Sequence, residues 1–161
     1  MKRIGLLLLL VVLASGSVWG EVVEITDPNL RTALEKSLGK NVGDAITKED
    51  LEKLKELKYQ GNEGSQIADL TGIEYCINLV ALDLCKHQIS DLSPLFGLSR
   101  LTNLRLGKNK IVDISPLQKL VRLTNIYLYV NSETSIFSCS VGIRIKNIAL
   151  HYLCLFHDKY I

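Results

Sequence analysis

The sequence has few of the features that mark several common protein classes. It contains four cysteines in 161 residues, too few for a small scaffold held together by disulfides. It has 19 basic and 17 acidic residues, and Lys2 and Arg3 account for the difference, so the charge of the remaining chain gives no reason to expect nucleic acid or an anionic membrane as partner. G-x-S-x-G, the P-loop, G-x-G-x-x-G and H-E-x-x-H do not occur, which leaves no sequence signature of an enzyme. Hydrophobic residues make up 47% and charged residues 22%, as in folded globular proteins.

The first twenty residues have the layout of a secretory signal peptide. Lys2 and Arg3 precede an apolar run over Ile4–Ala14, which is long enough for the signal's apolar region and too short to span a bilayer. We expect cleavage after Gly20, with cleavage after Ser17 as the competing choice and an uncleaved membrane anchor as the alternative. The mature chain is then expected to be secreted, displayed at the cell surface or periplasmic, with no membrane span.

Two segments that begin 22 residues apart share the same pattern of leucines and polar residues. Leu79 begins LVALDLCKHQISDLSPL and Leu101 begins LTNLRLGKNKIVDISPL, and Leu123 begins a third copy that stops after LTNIYLYVN. The pattern is typical of a leucine-rich repeat, in which an L-x-L strand buries one face. Because one repeat cannot close its own apolar face, neighbours must stack. The sequence therefore predicts an α/β solenoid: a short right-handed coil with parallel strands on its concave side.

An earlier, divergent copy precedes these repeats. IADLTGIEYC, beginning at Ile67, lies in register with the segment that begins at Ile89. Its strand half, with Leu54, Leu57 and Tyr59, is expected to be displaced by an insertion of about three residues around Gly61–Ser65, where glycine and asparagine tolerate an irregular turn.

Polar residues that recur with the 22-residue period are predicted to be architectural. Asn109 and Asn131 share the ninth position of the repeat with His87, where a side chain can bond the backbone as the chain leaves the strand. Asp91 and Asp113 recur at the same period, so we interpret them as structural and not as a catalytic pair.

A helical cap is predicted over residues 21–57, because the first coil of a solenoid needs a cover for its apolar end. Asp27 followed by Pro28 favours a helix start, and Gly39 favours its end. Thr47 with Asp50 resembles a capping box for a second helix. That second helix is expected to carry three leucines at helical spacing, Leu51, Leu54 and Leu57.

Over about residues 21–131, the chain resembles the internalin-like leucine-rich-repeat proteins of bacteria. The resemblance is carried by DPNLRTALEKSLG, ITKEDLEKLKEL and IADLTGIEYC, followed by repeats with ISDLSPL and IVDISPL. It implies an exported or surface-displayed protein-interaction module without catalysis, and no cofactor is expected. From its residues, the chain divides into signal peptide 1–20, helical cap 21–57, repeats 58–131 and divergent tail 132–161. The competing hypothesis is a truncated or frameshifted fragment of a longer surface protein, with no independent function.

The predicted binding surface is the side of the strands that faces away from the leucine interior, here called the open strand face. Residues that alternate with the buried leucines point out of this face, and tyrosine and arginine are enriched at binding hot spots. A merely solvated face is the alternative. The ligand is expected to be a protein of unknown identity, contacted by Asp83, Asn103, Arg105, Asn125, Tyr127 and Tyr129.

The repeat register is lost after Asn131. The tail 132–161 is interpreted as the out-of-frame end of a longer gene or as a degenerate cap. A zinc site is a third reading that we do not expect, since the spacing matches no common zinc pattern. Its ligands would be Cys139, His151, Cys154 and His157.

Two further cysteines lie in the repeats. Cys76 occupies the position of the core residues Leu98 and Leu120, so we expect it to be buried. Cys85 follows a strand leucine and is expected on the open strand face. A bridge between the two is not expected, because they fall on opposite sides of the coil.

Overall fold

The computed structural model describes residues 20–131. The expected signal peptide, apart from Gly20, and the tail 132–161 lie outside the described residues, as do the hypothetical zinc ligands Cys139, His151, Cys154 and His157. Over the range that is described, no helix combines the length and the apolar character needed to cross a bilayer.

Two helices lie near the start of the described residues, and both of their predicted first residues are confirmed. Helix α1 spans Pro28–Leu38. Gly39 caps its end, and its φ of 65° lies in the left-handed region. Helix α2 spans Lys48–Lys53, and Thr47 and Asp50 cap it reciprocally as a capping box. Local sequence signals therefore set the positions of the two cap helices.

The prediction that the second helix continues through Leu57 is wrong, and the prediction that Leu57 belongs to the strand half of the divergent copy is confirmed. Helix α2 ends at Lys53, Leu54 follows in an extended conformation, and Leu57 lies in strand β1, Glu56–Lys58. Leu57 is fully buried and lies opposite Leu82 of the next strand. The spacing of the leucines fits a helix equally well, but pairing with the neighbouring strand satisfies the backbone and buries Leu57 at once.

Four parallel strands follow one another in chain order along a single sheet. Leu82 lies opposite Leu104, and Leu104 opposite Ile126, so the 22-residue period places equivalent residues side by side. Between the first two strands the offset is 25 residues, from Leu57 to Leu82, which confirms an insertion of three residues. The strands are β1 Glu56–Lys58, β2 Ala81–Asp83, β3 Asn103–Arg105 and β4 Asn125–Tyr127.

Three short 3-10 helices form the side of the coil opposite the strands. They span Ile73–Tyr75, Ser93–Leu95 and Ser115–Lys119, and the last two begin at the Ser-Pro-Leu segments. Apolar side chains fill the space between strands and helices, and those of the first full repeat are at most 1% exposed. The fold is a short leucine-rich-repeat solenoid with a helical cap at its amino-terminal end.

Asp27 joins the cap to the first coil as well as starting helix α1. Its Oδ1 accepts hydrogen bonds from the N–H groups of Asn29 and Leu30 at 2.9 and 3.0 Å. Its Oδ2 accepts from the N–H groups of Ala68 and Asp69 at 2.8 and 3.2 Å. Burial by itself raises the pKa of Asp27, but these four backbone bonds outweigh that effect and hold the pKa below its usual value.

The asparagines of the ninth position tie each coil to the coil before it. Asn109 Oδ1 accepts from the N–H of Ile89 at 3.1 Å, and its Nδ2 donates to the carbonyls of Leu84 and Leu106 at 2.8 and 3.0 Å. Asn131 repeats the arrangement one coil later. The prediction that the side chain at the ninth position bonds the backbone is confirmed, and the bonds of successive coils form a ladder.

His87 makes the same connection across a wider gap. Its Nδ1 accepts from the N–H of Ile67 at 3.1 Å, and its Nε2 lies 3.0 Å from the carbonyl oxygen of Tyr59. Because Tyr59 and Ile67 bracket the three inserted residues, the longer imidazole reaches both ends where an asparagine serves the regular coils. The chain also passes very close to itself here: a Cβ on Gly61 would lie 1.8 Å from the carbonyl oxygen of Lys86, so only glycine fits.

The recurrent aspartates are architectural, as predicted. Asp91 and Asp113 each accept a hydrogen bond at 2.8 Å from the backbone N–H two residues later, at Ser93 and Ser115. These bonds form the turns that lead into the 3-10 helices. The pKa of Asp91 is lowered by its hydrogen bond from the Ser93 side chain and then by the backbone bond, and that of Asp113 by the backbone bond of Ser115 and then by the Ser115 side chain.

We expect the fold to lose stability in mild acid through His87. Nδ1 can accept the Ile67 bond only when it carries no proton, and burial lowers the pKa of His87 below its ordinary 6.5. The unfolded chain therefore takes up this proton at higher pH, so the stabilisation is complete above about pH 6.5 and declines as the pH falls toward the lowered folded-state pKa.

Urea unfolding at neutral pH and near about pH 5, on the natural chain and on His87→Asn, measures this contribution. The natural chain should lose more unfolding free energy between the two conditions than the variant does. Equal losses in both proteins would show that His87 does not carry the effect.

Candidate functional site

The open strand face brings together the candidate residues that lie in strands. The register pairs Asn103 with Asn125, and Arg105 with Asp83 on one side and Tyr127 on the other. Along its strand, each of these residues is next to a side chain of the leucine interior. The backbone therefore holds each of them at a fixed position on the sheet. Tyr129 lies two residues beyond Tyr127 along the same chain direction.

Arg105 is at the centre of the most pronounced group on this face. Its Nη1 lies 3.4 Å from Asp83 Oδ2, and its side chain is 51% exposed. On the other side, its Cζ lies 5.4 Å from the centre of the Tyr127 ring. A guanidinium held between a carboxylate and an aromatic ring keeps further N–H donors for a ligand. Such an arrangement suits a planar anionic group such as a carboxylate.

Tyr129 differs from the other candidates because its ring packs onto the preceding coil. A Cβ on Gly107 would lie 2.3 Å from Tyr129 Cε1, so the ring occupies the space that a larger residue would need. Burial raises the pKa of the Tyr129 hydroxyl, and the neighbouring Cys85 adds to the rise. Tyr129 is therefore half-buried, which leaves only part of its surface for a partner.

Both described cysteines are buried and free. Cys76 is fully buried, as predicted, and burial raises the pKa of its thiol to about 12. Cys85 was expected on the open strand face, yet it is only 2% exposed. Burial raises the pKa of Cys85, with a hydrogen bond to Asp83 as the next cause. Strand alternation predicts only the direction in which Cys85 points. It does not predict that the ring of Tyr129, two coils further along the chain, lies nearby.

A hollow of about 390 Å³ on the cap is a weaker candidate. Its charged groups serve the fold: Lys40 Nζ lies 2.9 Å from Asp50 Oδ2, and Asp50 caps helix α2. Burial raises the pKa of Asp50, but its bonds to Lys40 and Thr47 prevail and lower the pKa to about 2. Across residues 20–131, no cluster of three or more potential metal ligands is found.

Comparison with solved structures identifies internalins of Listeria monocytogenes. The InlF structure is 41% identical, has a TM-score of 0.61, and matches over 67% of this chain and 32% of its own. This chain is internalin-like. InlC2 is 30% identical with a TM-score of 0.57 and matches over 76% of this chain and 62% of its own. The functional domain of InlJ is 27% identical with a TM-score of 0.60, over 66% of this chain and 22% of its own.

The internalin-like chain is shorter than these structures. It spans about a third of the InlF structure and about three fifths of the InlC2 structure. No protein-family model matches it, and no curated protein sequence does. The comparisons thus establish the type of repeat and its fold.

We expect Tyr129 to protect the thiol of Cys85. Gly107→Ala would push the ring away, and Tyr129→Ala would remove it, so either change should make Cys85 react faster with a thiol reagent. Tyr129→Phe keeps the ring and is the matched control. Mass spectrometry can assign the label to each cysteine separately. If Cys85 is labelled at the same rate in all four proteins, Tyr129 does not cover it.

Proposed function

We propose that this chain is an exported, non-catalytic protein-interaction module that binds a protein ligand through its open strand face. The observation that carries the proposal is the group formed by Asp83, Arg105 and Tyr127. Arg105 and Tyr127 offer a large area with polar ends, the combination found at binding hot spots. Because neighbouring strands hold them, little side-chain order has to be gained on binding.

Export is supported by the layout of the first twenty residues and by the likeness to internalins. A binding role without catalysis is supported by what the titratable groups do. His87 bonds the backbone through both ring nitrogens, and Asp91 and Asp113 hold turns. These residue types are common general acids and bases, and in this part of the chain these three serve the fold.

The size of the face suggests the form of the ligand. Typical stable interfaces bury about 800 Å² on each partner, which three-residue strands can barely supply. An extended segment or a single protruding loop of a protein would use this area best. Its central contact would lie on Arg105 and Tyr127, with Asn103, Asn125, Asp83 and the exposed part of Tyr129 around them.

A second candidate is a truncated or frameshifted fragment of a longer leucine-rich-repeat surface protein, without a function of its own. The last described coil favours it. Ile126 and Leu128 are only partly buried, whereas Leu104 and Leu106 at the equivalent positions are fully buried. Within residues 20–131, the inner surface of that coil is thus less covered than that of the coil before it.

Selection from a displayed random-peptide library, using the chain without its first twenty residues, tests the proposal. Selected peptides should bind at least about tenfold more weakly to Arg105→Ala and to Tyr127→Ala, since hot-spot truncations cost about 2 kcal/mol or more. Val121→Ala is the control, because Val121 is 84% exposed in the turn before the strand. Binders that ignore both test substitutions would contradict the proposed face. A chain that aggregates and selects nothing would support the fragment.

A further inference from the structure

Overall neutrality conceals a strong separation of charge along the solenoid. Residues 20–78 contain twelve acidic and seven basic residues, a net charge of −5. Residues 79–131 contain three acidic and seven basic residues, a net charge of +4. The repeats that form β2 to β4 are therefore basic, and the part before them, which contains the cap, strand β1 and the divergent repeat, is acidic.

Two lysines of this basic region lie where strands β2 and β3 end. Lys86 and Lys108 are 22 residues apart and share a left-handed backbone, with φ of 64° and 57°. The Lys86 N–H donates to the carbonyl of Gly107 at 2.9 Å, which places the two lysines on adjacent coils. Both are exposed. They form a basic pair at the carboxyl-terminal edge of the open strand face.

A second basic pair lies at the opposite edge. Arg100 and Arg122 are exposed in the turns that precede β3 and β4. Like the lysines, they are separated by one 22-residue period. The open strand face therefore has cations before and after its strands, with Arg105 between them.

The acidic residues of the repeats do not neutralise these cations. Asp83 is paired with Arg105, and Asp91 and Asp113 bond the serine N–H groups of their own turns. Within the described residues, neither basic pair makes an ion pair. Uncompensated charge that borders a candidate binding face attracts a partner of opposite sign.

We propose that the ligand of the open strand face is an acidic protein segment that combines aspartate or glutamate with aromatic residues. This inference rests on the proposed function and names the class of partner. Carboxylates of the segment bind Arg105 and the two basic pairs, and an aromatic residue packs beside Tyr127. Asp83, at the centre of the face, disfavours a polyanion with uniform, closely spaced charge, such as a sulfated polysaccharide.

The copolymer poly(Glu,Tyr) is a probe of this chemistry that requires no knowledge of the natural ligand. Fluorescence anisotropy with the labelled copolymer and the chain lacking its first twenty residues should show saturable binding that weakens as salt is added. Heparin, as a competitor of higher charge density, should displace it poorly.

A charge-reversing pair of substitutions locates the binding. Lys86→Asp with Lys108→Asp should weaken poly(Glu,Tyr) binding by roughly tenfold or more, since exposed charge pairs contribute up to about 1 kcal/mol each. Aspartate tolerates the left-handed backbone at these positions, so the fold should persist. The matched control is Lys53→Asp with Lys119→Asp, which changes the net charge equally at the end of α2 and on the 3-10 helix opposite the sheet. Thermal melting of both proteins verifies folding.

Three outcomes would overturn the inference. They are no saturable binding of poly(Glu,Tyr), equal weakening in the test and control variants, and displacement by heparin at lower concentration than by unlabelled copolymer. If the displayed library yields neutral peptides that still depend on Arg105 and Tyr127, the proposed function stands and the acidic ligand is wrong. If neither probe binds and the chain associates with itself in a salt-dependent way, the basic repeats pair with the acidic cap of a second copy.

Discussion

The structure depends on hydrogen bonds to the backbone N–H and carbonyl groups that follow each strand. Without these bonds, each coil would leave such groups unpaired where it turns away from its strand. Buried N–H and carbonyl groups must find partners, and the residue at the ninth position supplies them from one side chain. Asn109 connects its own coil to the preceding one, and His87 and Asn131 do the same on either side. With these links in place, the leucines of successive coils meet in register and form one continuous interior.

This constraint also produces the candidate site. The 22-residue period places equivalent residues of successive coils side by side. The outward-facing strand residues therefore form a regular array on the open strand face. Residues that hold the coil together are buried or turned toward their own backbone, which leaves the outward positions free to vary. Arg105 and Tyr127 occupy adjacent places in this array. The basic pairs at both edges arise in the same way, because each recurs after 22 residues.

Much of the fold could be predicted because its signals are local or periodic. The 22-residue spacing predicted the register, Asp27 and Thr47 predicted the starts of the helices, and the offset around Gly61 predicted the insertion. Leu57 fitted two predictions, a further turn of the second helix and the strand half of the divergent copy, and only pairing with a distant strand decides between them. The packing of individual side chains between coils was likewise out of reach, including the cover of Tyr129 over Cys85. They depend on side-chain shape and not on sequence spacing.

Hydrogen exchange at the backbone N–H groups that donate to the ninth-position side chains is the sharpest test that these bonds hold the coils together. These are the amides of Ile67, Ile89 and Ile111, which donate to His87, Asn109 and Asn131. We expect the Ile67 and Ile89 amides to exchange only through global or near-global unfolding, with protection similar to that of the buried strand β3. Ile111, next to the last described coil, should be protected somewhat less. Exchange of all three at the rate of the exposed turn residue Val42 would contradict it.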